Sequence, residues 1–208
     1  MPANSNTKKV KVFLVGASGK MGQMVATLAE KDPEVELSDV GDVVIDFSTP
    51  EGTRAAIALG KPLVSGTTGL SEEIFNELAA LSKRVPVLHS PNFSLGIALC
   101  FEMLEQMSAK LKKFSQIEIQ EIHHTQKVDA PSGTALKMAE ILGVDKVHSE
   151  RIGDVVGIHQ VNFLFNNEKL SLRHEALSRE AFAQGALVAA KFLFNKPPKL
   201  YSLGEVFH

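Results

Sequence analysis

Tryptophan is absent from these 208 residues, and tyrosine and cysteine occur once each, as Tyr201 and Cys100. A single cysteine excludes an internal disulfide and any metal site made of thiolates alone. Cys100 lies in an apolar helical pattern and reads as a small buried hydrophobe. Neither sign of charge dominates: 22 Lys and Arg stand against 24 Asp and Glu, a formal net charge of −2. That balance offers no basic footprint for nucleic acid and no polybasic anchor for a membrane. No uninterrupted apolar run approaches the roughly 20 residues of a membrane span. The opening MPANSNTKK lacks the apolar core of a signal peptide and reads as a frayed lead-in, so a cytoplasmic protein is expected. Low-complexity tracts and internal repeats are missing too. What remains is an ordinary globular composition, 44% apolar and 22% charged, long enough for one large or two small domains.

The first half alternates strands with helices. Val10 to Val15 (VKVFLV) is an apolar run with a β-branched bias, broken only by Lys11, of the kind buried on both faces of a sheet. It ends in Gly16-Ala17-Ser18-Gly19-Lys20-Met21-Gly22, and the apolar positions Met24, Val25, Leu28 and Ala29 then mark a helix. Glycines between strand and helix let backbone approach a pyrophosphate, and the helix start supplies N–H groups and positive dipole. The spacing is G-x-x-G-x-x-G, a weak signal without its strand–turn–helix setting. Further strands are expected at Val35 to Leu37, Val43 to Phe47, Lys61 to Ser65 and Val85 to His89. Helices are expected over Glu51 to Leu59, with Gly60 beyond its end, and after Ser71. Polar or glycine-rich stretches follow the strands, including Gly66-Thr67-Thr68-Gly69 and Ser90-Pro91-Asn92-Phe93. The alternation predicts a doubly wound parallel sheet with ligands at the strands' carboxyl ends.

The chemistry-bearing stretch is Glu121 to Thr134, EIHHTQKVDAPSGT. It reads as a strand end, a polar loop and a helix start with Ser132 as N-cap and Pro131 before it. Backbone N–H groups at Gly133 and Thr134 would suit a carboxylate or phosphate. His123, His124 and Lys127 add three titratable donors just upstream, a set fit for acid catalysis on an acidic small molecule. Taken singly, a histidine pair in a loop is usually solvated surface, and Ser-Gly-Thr is ordinary capping.

The complete string EIHHTQKVDAPSGTA resembles the signature of the dihydrodipicolinate (4-hydroxy-tetrahydrodipicolinate) reductase family. GASGKMG, VVIDFSTP, GTTG and SPNFSLG are similar to its cofactor-side motifs. The resemblance implies a Rossmann-like α/β domain (residues 1–94 with 177–208) and a smaller α+β substrate and tetramerisation domain with a mixed open sheet (residues 95–176). It implies NADH or NADPH as cofactor, a small dicarboxylate as substrate and a homotetramer. By the same resemblance His123 and Lys127 are the proton donors, and His124, Gly133 and Thr134 hold substrate. Gly16, Ala17, Ser18, Gly19, Lys20 and Met21 carry the pyrophosphate, while Gly66, Thr67, Thr68, Ser90, Pro91, Asn92 and Phe93 line the nicotinamide end. Family members carry a longer insert after the second strand, with a residue there that reads the adenosine ribose. Here only Asp32 to Asp42 fills that interval. Glu36 and Asp39 are its nearby carboxylates, and Lys20 and Arg54 are the cations left for a 2′-phosphate, so both cofactors stay open.

The second half continues with a long helix from Leu95 to Phe114, expected to be apolar along Leu99, Met103, Leu104, Met107 and Leu111, its methionines filling core. A strand from Ile117 to Ile122 delivers the histidine loop. Strands at Val155 to Gln160, Val161 to Asn166 and Lys169 to His174 follow. A last helix spans Leu177 to Asn195, and Tyr201 to Phe207 returns to the first domain. No metal is expected: adjacent histidines rarely share an ion, and no carboxylate sits at useful sequence spacing from His123, His124, His159 and His174. Two rival readings are another two-domain nicotinamide dehydrogenase, of the homoserine or diaminopimelate type, and a non-enzymatic dinucleotide-binding protein.

Overall fold

The computed structural model describes residues 8–208; residues 1–7, where the frayed lead-in is expected, lie outside the described residues. In chain order it contains β1 (Val10–Val15), α1 (Lys20–Ala29), β2 (Val35–Leu37), β3 (Val43–Asp46), α2 (Pro50–Ala58), β4 (Leu63–Ser65), α3 (Glu72–Leu81) and β5 (Val87–His89). Then come α4 (Leu95–Phe114), β6 (Gln116–His123), α5 (Gly133–Leu142), β7 (Val147–Arg151), β8 (Gly157–Leu164), β9 (Lys169–Ala176), α6 (Glu180–Leu193) and β10 (Leu200–Tyr201). Two units result, Met1–Phe93 with Phe182–His208, and Ser94–Ala181.

In the first unit six parallel strands lie in the order β10-β5-β4-β3-β1-β2. Val12, Val43, Val44, Ile45, Leu63, Val64, Val87 and Leu88 are all fully buried, as the continuous apolar runs require of a sheet covered on both faces. The strands β4 and β5 begin at Leu63 and Val87, two residues later than expected, because Pro62 and Pro86 have no N–H to give a ladder. Thr49 and Ser71 cap α2 and α3 through their side-chain oxygens, and Gly60, at φ +64°, sits just past α2.

Only residues 38–42 join β2 to β3, although these parallel strands flank β1 on opposite sides. Parallel strands ordinarily need a crossover of about a dozen residues. The register removes the need: Leu37 and Val43 both stand level with Val12, so the chain only has to pass across β1. Gly41 makes the passage, since a Cβ there would lie 2.4 Å from the Phe13 nitrogen.

In the second unit a four-stranded sheet runs β7-β6-β8-β9, with β6 and β7 parallel and the other pairs antiparallel. Its helix-covered face changes character along its length. Ile117, Ile119, Val161 and Phe163 pack with Ile97, Cys100 and Leu104 of α4 and Met138, Ala139 and Leu142 of α5. Toward the end of β6 the same face carries Glu121 and His123, opposite His159 and Gly157 of β8.

Three expectations are corrected here. The strand β8 is continuous through Gln160 and Val161: both stay in register with β6 and β9, and Gly157, His159, Val161 and Phe163 lie on one buried face. A strand not expected, β7, adds the parallel edge. The α4 face is also rotated: Leu99, Met103 and Met107 are 42%, 46% and 43% exposed, so those methionines do not fill core. The helix carries two apolar stripes, and the sheet takes the one through Ile97, Cys100 and Leu104.

Candidate functional site

Gly16 to Gly19 form the turn between β1 and α1, and Lys20 and Met21 are the first two residues of the helix. Gly16 has φ +83°, and a Cβ on it would meet the Phe47 carbonyl oxygen at 2.3 Å. A Cβ on Gly22 would stand 2.1 Å from the Gly16 oxygen. Glycine is therefore demanded twice in this loop. The first turn of α1 has neither a capping side chain nor an acidic residue, and Ala17, Ser18, Gly19 and Lys20 are exposed. A narrow backbone cradle before an unopposed helix start fits a dinucleotide pyrophosphate.

Beside it, the carboxyl ends of β3 and β4 are tied together by Asp46, which is fully buried. Its carboxylate accepts from Thr53 Oγ1 (2.6 Å), Ser65 Oγ (3.1 Å), Thr67 Oγ1 (3.0 Å) and Ser48 Oγ. Thr67 Oγ1 also accepts the Ser48 N–H at 3.0 Å. The Thr67 side chain is thus spent inside the protein, while Thr68 is exposed. Gly66 is needed for close packing, as a Cβ there would enter the Phe47 ring. In the last loop Ser90 Oγ donates to the Asn92 carbonyl at 2.6 Å, Pro91 is exposed, and Phe93 is 2% exposed, edge-on to Phe47. Of the residues predicted to touch cofactor, Thr67 and Phe93 turn their side chains into the fold. Arg54 is engaged with Glu73 and Glu77 of α3.

In the second unit the predicted donors lie in one turn. His123 closes β6, His124 follows it, and Lys127 is paired with Asp129 at 2.8 Å. Ser132 Oγ accepts from the Ala135 N–H at 3.3 Å, so α5 begins at Gly133 and Thr134 with no acidic residue in its first turn. Around Gly133 the space is open, and His124 Nδ1 is buried without a hydrogen-bond partner among the described residues.

Two residues outside the predicted set shape this turn. Glu121 is fully buried, accepts a hydrogen bond from His123 Nδ1 and pairs with Arg151 Nη1 at 2.9 Å. Arg151 further donates to the carbonyls of Lys127 and Asp129. A carboxylate two residues before a strand-end histidine shares its face, which is the signal for Glu121; Arg151 becomes visible only once β7 is paired. Burial alone would raise Glu121, but the neighbouring Ser149 hydroxyl and the paired Arg151 guanidinium hold it below the usual carboxylate range. Burial pushes His123 below the ordinary histidine value, Glu121 opposes this, and Lys127 and Arg151 add to the lowering. His159, bonded through Nε2 to Ser132 Oγ at 3.1 Å, is pushed down to about 3, mainly by burial. The expectation that no carboxylate stands near the histidines is corrected: ligand atoms of Glu121, His123 and His159 lie within 4.8 Å of one another.

A parallel nucleotide-type sheet with a glycine cradle, joined in one chain to an α+β unit that carries the histidine–lysine turn, defines a two-unit protein of the Rossmann type. Residues 10–41 and 38–93 match the family described as dihydrodipicolinate reductase, N-terminus, and residues 96–207 match its C-terminus. The two N-terminal segments meet at the short β2–β3 link. A 4-hydroxy-tetrahydrodipicolinate reductase of Alkaliphilus oremlandii is 37% identical, over 95% of this chain and 98% of its own. One from Thermosipho africanus is 38% identical over 93% of this chain and 95% of its own. The structure of dipicolinate-bound dihydrodipicolinate reductase from Paenisporosarcina sp. TG-14 shares the fold, with a TM-score of 0.76 at 23% identity, covering 93% of this chain and 97% of that one. The chain belongs to the 4-hydroxy-tetrahydrodipicolinate reductase family.

Proposed function

We propose that this chain reduces the dehydrated, cyclic imine form of 4-hydroxy-tetrahydrodipicolinate to tetrahydrodipicolinate, in the diaminopimelate route to lysine. The observation that carries this is the β6–α5 turn, which sets His123, His124 and Lys127 before a helix start with no carboxylate of its own, in a chain of this family. A bound nicotinamide, NADH or NADPH, supplies hydride to the conjugated ring carbon. The residues of Gly16–Met21 hold its pyrophosphate through backbone N–H groups and the α1 dipole.

Reduction leaves an enamine that needs a proton, and His123 delivers it. Lys127 is the second acid, and its cation draws in the dianionic substrate. His124 donates to one substrate carboxylate, while Gly133 and Thr134 receive the other at the start of α5. A homotetramer built through the open sheet of the second unit accompanies this reading, and light scattering checks it. The deciding assay is loss of nicotinamide absorbance with freshly generated substrate, run with NADH and NADPH in parallel. The wild-type chain is expected to oxidise at least one, and His123→Gln and Lys127→Ala to lower turnover by roughly 10²–10⁴-fold. No oxidation of either cofactor, or near-normal rates in both variants, would overturn the assignment.

A further inference from the structure

The reductase reading leaves a fully buried carboxylate without a role. Glu121 stands on the helix-covered face, where an unpaired charge is costly. Arg151 meets one of its oxygens at 2.9 Å, and His123 Nδ1 donates to the other. Arg151 is itself fixed by the carbonyls of Lys127, Asp129 and Glu150, so the carboxylate and the turn share one clamp. The backbone adds two ties: the Ile152 N–H donates to the His123 carbonyl at 2.8 Å, and the Thr125 N–H to the Gly153 carbonyl at 3.1 Å.

The ring is constrained on its other sides as well. A Cβ on Gly157 would stand 3.1 Å from His123 Nε2, so a side chain there would crowd the ring. His159 meets it edge-to-face, with centroids 5.0 Å apart. The charged and titratable groups that bear on His123 are therefore Glu121 on its own strand, Lys127 in the turn, Arg151 from β7 and His159 from β8. The spacing of Glu121, His123 and His159 would accept a metal ion. Arg151 already balances the carboxylate, however, and Lys127 adds a second cation, so a dication here would meet like charge.

We propose that Glu121, locked by Arg151, is the positioning residue of the proton donor: it keeps His123 Nδ1 bonded, so that Nε2 is the atom that gives up the proton. A hydrogen bond to one ring nitrogen sets which nitrogen exchanges protons, as with histidines held by a carboxylate elsewhere. The carboxylate also opposes the burial that lowers His123. This role rests on His123 being the donor in the proposed reaction.

Two measurements test it. In the ¹⁵N-histidine spectrum of the wild-type chain at about pH 8, the resonance lost in His123→Gln is expected to be that of the Nδ1–H tautomer. In Glu121→Gln, the high-pH limb of kcat/KM is expected to move down by about one pH unit or more, with kcat near pH 8 falling ~10–100-fold and KM changing less than about threefold. Glu121→Asp, which restores the charge, is expected to recover part of the loss. An Nε2–H tautomer in the wild type would overturn the proposal, as would a Glu121→Gln profile that matches wild type. Should that variant fail to fold, the wild-type tautomer decides. A wild-type chain with no reductase activity would sink the functional assignment, while the tautomer would still decide how the pair is arranged.

Discussion

Replacing Asp46 is the most informative perturbation of the first unit. Four hydroxyls converge on its buried carboxylate, three of them on one oxygen. A hydrogen bond to a charged acceptor contributes about 1.5–3 kcal/mol net, yet four such terms do not simply add, because removing the charge also removes its desolvation penalty. Two donors have somewhere else to go. Thr53 Oγ1 already reaches the Thr49 carbonyl at 3.2 Å, and Ser48 Oγ reaches it at 3.4 Å. Ser65 and Thr67 are 0% and 4% exposed, so Asp46→Ala strands both hydroxyls at about 1–3 kcal/mol each. The expected loss is about 3–5 kcal/mol, a large share of an ordinary domain's stability of ~5–15 kcal/mol. Asp46→Asn keeps the shape and one acceptor and should lose about 1–3 kcal/mol. Urea unfolding followed by far-UV circular dichroism measures both. Nicotinamide affinity should weaken in step, because Ser48 and Thr67 shape the ends of β3 and β4. A loss below about 1 kcal/mol for Asp46→Ala would refute the idea that this carboxylate organises those ends.

His159 makes stability fall in acid. Its folded-state pKa of about 3 lies below the unfolded value, so the unfolded chain takes up a proton that the fold refuses, and stability declines as pH drops from about 6.5 toward 3. One such group gives a slope of about 1.4 kcal/mol per pH unit; His159→Gln should flatten urea-derived stability between pH 7 and 5 by about that much, and parallel curves would refute it. Gly185→Ala should cost about 2–4 kcal/mol or prevent folding, since the new Cβ would lie 1.8 Å from the Phe93 carbonyl oxygen; an unchanged melting temperature would be the contrary result. Ser132→Ala removes the α5 cap and the His159 partner together, for an expected loss of about 1–3 kcal/mol by chemical denaturation. Arg54→Ala should leave the KM for NADPH within about threefold of wild type, because that side chain is already engaged with Glu73 and Glu77; a tenfold rise would make it the 2′-phosphate clamp.

The elements readable from the sequence are those with one dominant signal. The β1 strand and the α4 helix have the expected bounds, the first from an apolar run broken only by Lys11 and the second because Ser94 caps it and Ser115 ends it. The β7 segment VHSER was invisible because it is a half-exposed edge strand with neither a continuous apolar run nor clear alternation. Glu121 went unnoticed as a site residue because a carboxylate in a strand ordinarily faces water. Pairing places it opposite His159 on one side and Ser149 on the other, and places His123 opposite Arg151. Those relations belong to register, which composition and spacing do not encode. The α4 error has the same root: periodicity finds apolar stripes, but only the neighbouring sheet selects between two of them.

The abbreviated link after β2 also decides how the first sheet ends. A border strand offers unpaired amides and carbonyls to any passing chain, and long flat borders are where proteins stick to one another. Here the border is three residues long, with Pro33 and Glu34 before it, Glu36 within it, and Asp39 and Asp42 just beyond. The short link therefore creates no adhesive seam: brevity and negative charge leave too little for a second molecule to zip onto.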